Sequence, residues 1–200
     1  MKKRLAVLIS NVGTGTNLQA IINAIEADKM NAAISIVVSD TDKAFGLERA
    51  RQHNIPFEIV PEKERILGAL KEYNIDFVCL AGWKQIITDE VIKFYENKIL
   101  NIHPGLIPDK MDIFVKNPDG SKGLWNRGKL TVKAMRGFLD SKASYSGSTV
   151  HFLSNEFDFG KVLGRCFEKI RKNDSVESLY ERLKKKENSL YVKSLIRLCR

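Results

Sequence analysis

Two hundred residues, 44% of them hydrophobic, are enough to bury a core as one domain, with or without an appendage. The net charge of +9 is unevenly placed: residues 1–108 hold 13 basic and 13 acidic side chains, residues 109–146 eight and four, residues 147–164 one and two, and residues 165–200 eleven and five. Such an excess attracts anions, whether nucleic acid, phosphorylated metabolites or a poly-acidic cofactor tail, with a solvated basic helix as the plain alternative.

Three cysteines, Cys79, Cys166 and Cys199, are widely separated and odd in number, without metal-ligand spacing. They read as free thiols in a reducing cytoplasm, and no metal is expected. Residues 1–9 read as a basic start running into a first strand, because the apolar run is too short for a signal peptide or a membrane span. The continuous apolar run 5–10 suits a strand buried on both faces of a parallel sheet. A loop, Asn11-Val-Gly-Thr-Gly-Thr-Asn17, follows, and then Leu18, Ile21, Ile22 and Ile25 repeat at helical spacing. The loop is suited to wrapping an anion, since glycines let the backbone approach, hydroxyls add donors and a helix N-terminus favours negative charge. It is neither a Walker loop nor a full dinucleotide fingerprint, and a tight turn is the alternative.

Strands are predicted at 34–39, 56–60, 77–81 and 99–102, and helices at 46–53, 62–73 and 88–95. The last of these helices has Thr88 as N-cap and Asp89 and Glu90 in its first turn. This alternation predicts an α/β, doubly wound, mostly parallel sheet with ligands beyond the C-terminal strand ends. Residues 80–87 cross from a strand end toward a helix. Trp83, Lys84, Gln85, Ile86 and Ile87 there suit either a flat heteroaromatic ligand or plain core packing.

Asn101 and His103, two apart at a strand end, project to one side. Pro104, Gly105 and Pro108 then force an irregular turn. The carboxamide and the imidazole form a pair able to donate hydrogen bonds to an oxyanion and to move a proton; alternatively His103 only bonds a turn. Residues 109–146 form an elaborated loop with a turn at Pro118-Asp-Gly-Ser121 and a short helix within 130–139. Strands at 147–153 and 162–170, joined by a turn, predict an antiparallel hairpin, and 175–199 one long helix carrying Leu179, Leu183, Leu190, Leu195 and Leu198. Asp158, in the hairpin turn, would orient His103 and favour its protonated form if the two meet; otherwise it is an ordinary turn aspartate. His151 reads as a structural histidine, His53 as a surface residue, and Glu187 by default as a solvent-facing charge.

Taken together, Val7-Leu-Ile-Ser10, Gly15-Thr-Asn-Leu-Gln-Ala-Ile-Ile22, Ala44-Phe-Gly-Leu-Glu-Arg-Ala50, Leu80-Ala-Gly82, Leu100-Asn-Ile-His-Pro104, Asn155-Glu-Phe-Asp158 with Gly160, and Glu187-Asn-Ser-Leu-Tyr191 resemble the glycinamide ribonucleotide formyltransferases, folate-dependent enzymes of purine synthesis. The resemblance covers nearly everything outside 109–146. It implies a single Rossmann-like formyltransferase domain over 1–200, with a phosphate-binding half at 1–108, an atypical insertion at 109–146, and a hairpin and C-terminal helix at 147–200. It implies formyl transfer from 10-formyltetrahydrofolate to the glycinamide amine, without a metal. Asn101 and His103 would stabilise the oxyanion, and Asp158 would hold His103. Gly15, Thr16, Asn17 and Glu187 would bind the phosphate, ribose or glycinamide. Trp83, Lys84, Gln85, Ile86, Ile87 and Asn101 would bind the folate. Where the family has serine after His-Pro this chain has Gly105, Gln85 stands where bacterial members often have arginine, and a basic segment without histidine replaces a Pro-Gly…His segment. Small-molecule substrates, no membrane, no nucleic acid, a cytoplasmic location and a monomer or homodimer are expected. The alternatives are a formyltransferase for another phosphorylated or sugar amine, and a non-catalytic anion- or nucleic-acid-binding relative.

Overall fold

A computed structural model describes residues 1–10 and 15–200. Asn11 to Thr14 of the anion-loop reading lie outside the described residues, so Gly15, Thr16 and Asn17 carry that reading below. The chain divides into two compact units, Met1–Asn101 with Leu195–Arg200, and Ile102–Ser194.

The first unit alternates strand and helix: β1 (Lys3–Ile9), α1 (Thr16–Glu26), β2 (Ala32–Ser39), α2 (Gly46–Gln52), β3 (Phe57–Ile59), a 3₁₀ turn (Lys63–Arg65), α3 (Ile66–Glu72), β4 (Phe77–Leu80), α4 (Asp89–Phe94) and β5 (Ile99–His103), whose last two residues open the second unit. Parallel pairing joins β1 to β2 and β4, β2 to β3, and β4 to β5. Leu5, Ala6, Val7 and Leu8 are fully buried, the outcome for an apolar run covered on both faces. On α1, Leu18, Ile21 and Ile22 are buried, as their spacing predicts.

Two local details differ from expectation. The helix predicted at 62–73 begins as a 3₁₀ turn, because extended Glu62 offers no side-chain cap and the first turn tightens instead. Thr88 sits at the N-cap of α4 in extended geometry, but its hydroxyl makes no capping bond, which leaves Asp89 and Glu90 to complement the helix end.

The second unit holds α5 (Thr131–Asp140), β6 (Tyr145–Phe152), β7 (Val162–Lys169) and most of α6 (Val176–Leu198). The predicted antiparallel hairpin is present as β6–β7, with Ser148 opposite Cys166. In the first unit the strands run in the order β3-β2-β1-β4-β5, all parallel, and with the C-terminal β6–β7 hairpin of the second unit these are the elements of the expected mostly parallel α/β fold. Ala134, Met135 and Phe138 of α5 pack with Leu179 and Leu183 of α6 into a separate apolar cluster. Each such fully buried large side chain stabilises by about 1.5–3 kcal/mol relative to exposure. Ser175 and Ser178 cap α6 reciprocally, each hydroxyl accepting from the other's backbone N–H. Arg182 reaches back from the second turn to Asp174 and Glu168.

None of the three cysteines, all among the described residues, is joined in a disulfide. Among the described residues no helix is long and apolar enough to cross a membrane, and no group of metal-ligating side chains is assembled.

Candidate active site

His103 ends β5 and Asp158 lies in the turn between β6 and β7. The second unit brings them together, with Nδ1 3.5 Å from Oδ1. His103 is 3% exposed, and the Asp158 side chain 16%. Asp158 takes a left-handed φ of 48°, uncommon without glycine though tolerated best by aspartate and asparagine. Burial pushes its carboxyl up, but the His103 hydrogen bond and charge, with the Gly128 N–H, outweigh this and hold it below the usual carboxylate range. The other face of His103 meets the insertion: Nε2 is 2.8 Å from the Trp125 carbonyl oxygen. Trp125 Nε1 in turn donates to the Asp158 carbonyl at 3.0 Å, and Gly128 N–H to Asp158 Oδ2 at 2.7 Å.

Neither Trp125 nor Gly128 stands out from sequence pattern alone. The short helix expected within the 109–146 loop is α5. The preceding stretch is a bridged turn, with Lys116 opposite Lys122, leading into a strap that braces the histidine and the aspartate. A tryptophan followed two residues later by arginine and then glycine, in an otherwise patternless segment, was the available signal.

His151 is fully buried on β6, with Nδ1 bonded to the Phe152 carbonyl. Burial and the charge of His103 push it down to about 4, so it is neutral at physiological pH, in keeping with a structural role. His53 differs from its surface reading: it is partly covered, with Nδ1 2.6 Å from Glu26 and Nε2 3.2 Å from Gln19.

Glu187 corrects the solvent-facing reading more sharply. It is 5% exposed on α6 and accepts from the Ser148 hydroxyl at 2.5 Å. Burial raises its carboxyl, and the Ser148 bond and the charges of Lys184 and His103 oppose this only in part. Its place follows from spacing: Leu179, Leu183, Glu187, Tyr191 and Leu195 recur every four residues, and all are buried. That stripe was readable in the sequence, whereas the leucine pattern alone passed over position 187.

The remaining candidates belong to the first unit. Gly15, with φ of 66°, is the N-cap of α1, whose first residues are Thr16 and Asn17. Thr16 Oγ1 and Asn17 Oδ1 are buried without a partner among the described residues, as is Trp83 Nε1. Such groups at a helix start suit an anion carrying further donors and acceptors. The Lys84 N–H donates to Ser10 Oγ, which donates to Asp40, and the Gln85 carboxamide donates to the Pro61 carbonyl. Gln85 is therefore a strut between loops. Ile86 is 69% exposed and Ile87 4%, so the segment offers one free apolar side chain and roots the other in the core. Asn101 stands two residues before His103 on β5.

Residues 3–195 match the formyl transferase family. The chain is 31% identical to the chloroplastic phosphoribosylglycinamide formyltransferase of Arabidopsis thaliana, covering 99% of this chain and 66% of that protein. It is 32% identical to the human trifunctional purine biosynthetic protein adenosine-3, covering 97% of this chain and 18% of that one. It thus spans about two thirds of the plant relative and under a fifth of the trifunctional protein. Among solved structures it superposes on glycinamide ribonucleotide transformylase 1 of Symbiobacterium toebii with a TM-score of 0.84 at 29% identity, covering 99% of this chain and 88% of that one. The corresponding protein of Geobacillus kaustophilus gives 0.81 at 30% identity, with complete coverage of both.

Proposed function

The chain belongs to the formyl transferase family, and from that premise we propose that it moves the formyl group of 10-formyltetrahydrofolate to the amine of glycinamide ribonucleotide, in purine biosynthesis. The observation that carries this reading is the buried His103–Asp158 pair at the end of β5. The amine nitrogen adds to the formyl carbon and the carbonyl oxygen becomes an oxyanion. The bond to the folate N10 then breaks, and the proton lost by the amine passes through water to N10. The Asn101 carboxamide and the His103 ring meet the oxyanion, and ordered donors of this kind lower such barriers by several kcal/mol. Asp158 orients His103 and balances its charge. The buried polar atoms of Thr16 and Asn17, without a partner among the described residues, support a phosphate at the start of α1. Glu187, with Ser148, would meet the ribose or glycinamide. The exposed Ile86, and Trp83 Nε1 with no partner among the described residues, support a folate ring along 83–87. The chain would act as a single formyltransferase domain, cytoplasmic, as a monomer or homodimer, on small molecules alone.

A formyl-transfer assay with both substrates, following release of the deformylated folate spectroscopically, tests this. Turnover in the wild type that vanishes in His103→Ala supports it. Folate binding without transfer removes glycinamide ribonucleotide as the acceptor. That outcome is the second reading, a different phosphorylated amine, and one observation favours it: the insertion builds a cavity of about 350 Å³ whose lining includes Leu106, Met111, Phe114, Lys122 and Trp125. Thermal-shift titration with a series of phosphorylated amines separates the two acceptors.

A further inference from the structure

We infer that Trp125 is the positioning residue of the His103–Asp158 pair: its indole anchors the insertion to the Asp158 turn, so that its backbone carbonyl fixes the orientation and tautomer of His103. The inference rests on the catalytic reading of His103 given above.

Three contacts carry it. The Trp125 carbonyl is 2.8 Å from His103 Nε2, and a carbonyl only accepts, so Nε2 must carry a hydrogen. The indole N–H donates to the Asp158 carbonyl at 3.0 Å, while its ring lies 5.8 Å from the Phe159 ring and 5.1 Å from the Arg127 guanidinium. Arg127 itself reaches the Phe157 carbonyl and Glu156, and Gly128 N–H reaches Asp158 Oδ2. The strap is thereby fastened along the Asp158 turn and presents one carbonyl to the imidazole.

With Nε2 committed as a donor, the Nδ1 edge faces the Asp158 carboxylate at 3.5 Å. The strap thus holds Nε2 as a donor, the role an oxyanion needs from this ring. The carbonyl is an uncharged acceptor, and a charged oxyanion makes the stronger bond to the same N–H, so substrate can take its place.

Gly105 points independently to the same arrangement. A Cβ at Gly105 would overlap the Trp125 carbonyl oxygen and stand 2.7 Å from His103 Nε2. The strap can close on His103 only because residue 105 has no side chain, and this is the position where the resembled family has serine.

The test uses the full chain and two readouts. Long-range proton–nitrogen NMR of the imidazoles, with His103 assigned by its loss in His103→Ala, reports which ring nitrogens carry hydrogen. The wild type is expected to show His103 in one form with Nε2 protonated, and Trp125→Leu and Gly105→Ala to show mixed tautomers. In the transfer assay these two variants should lose about tenfold to a hundredfold in kcat, the scale of a small misplacement at a reacting centre, with much smaller changes in KM. Trp125→Phe keeps an aromatic, though smaller, ring against Phe159 and removes the indole N–H. It should fall between wild type and Trp125→Leu, and it carries the test if Trp125→Leu does not fold. Wild-type nitrogen shifts in folded Trp125→Phe and Gly105→Ala overturn the inference. If no acceptor is formylated by the wild type, the proposed function falls, and the NMR still decides whether Trp125 sets the tautomer.

Discussion

A left-handed aspartate beside a buried histidine is a costly local arrangement, and at Asp158 it places one carboxyl where both His103 and the Gly128 N–H reach it. His103→Ala and Asp158→Asn should each lower kcat by about 10² to 10⁴, the usual worth of a positioned acid or base, with unchanged circular dichroism. Asp158 also leaves a trace in stability. Its carboxyl is held below the usual range in the folded chain, so its contribution is present above the ordinary carboxylate pKa and is lost as pH falls through the depressed value. Denaturant titrations of Asp158→Asn against wild type should converge in acid. Glu187 has the opposite sign. Its folded carboxyl is raised, so the unfolded chain ionises first and stability falls as pH rises past the ordinary value. Glu187→Gln should therefore be more stable than wild type at neutral pH while weakening acceptor KM. A variant that loses stability at neutral pH would mean that Glu187 is better satisfied than its burial implies.

Among the elements, α6 does several jobs. Its apolar stripe closes the cluster with α5, and Leu183→Ala, which empties a fully buried site, should cost about 2–5 kcal/mol by chemical denaturation. Arg182 ties the helix start to Asp174 at 2.6 Å and to Glu168 at 2.9 Å, and Lys186 also reaches Glu168 at 2.7 Å. Arg182→Ala should cost about 1.5–3 kcal/mol, the range for bonds to charged groups. Lys186 keeps Glu168 partnered, so the Asp174 end carries most of that loss. What could be read at this scale was whatever depends on short spacing. The strands showed as unbroken apolar runs and α1 as a stripe at helical period. His103 and Asn101 showed as neighbours on one strand. The strap did not show, because Trp125 meets His103 across 22 residues and Asp158 across 33, through a backbone carbonyl that has no signature in residue type. Asp158 lies between the two cases: its turn is legible and His103 can be named as a possible partner, but 55 residues of chain separate the two and nothing in local spacing says that they meet.

Across the whole molecule the charge is the property that a partner meets first. The excess basic side chains of 109–146 and 165–200 set a positive field over a chain of net charge +9. Anionic substrates should gain association rate from that field, and the gain should fade as salt shortens its reach to about 8 Å at physiological ionic strength. The reading of a folate site makes this specific. Polyglutamylated 10-formyltetrahydrofolate should bind more tightly than the monoglutamate at low salt, by isothermal titration, and the difference should shrink at high salt. Equal affinities at low salt would separate the basic surface from the folate tail.

Gly105 and Trp125 also constrain how this chain can change. Serine at 105 drives the strap off His103, and a strap without its glycine partner has nowhere to seat. A side chain at 105 and a strap closed on His103 compete for the same space, so the two features go together in this chain. Grafting residues 122–128 into a relative that keeps serine should give a protein worse than either parent, and a second exchange, serine to glycine, should restore it.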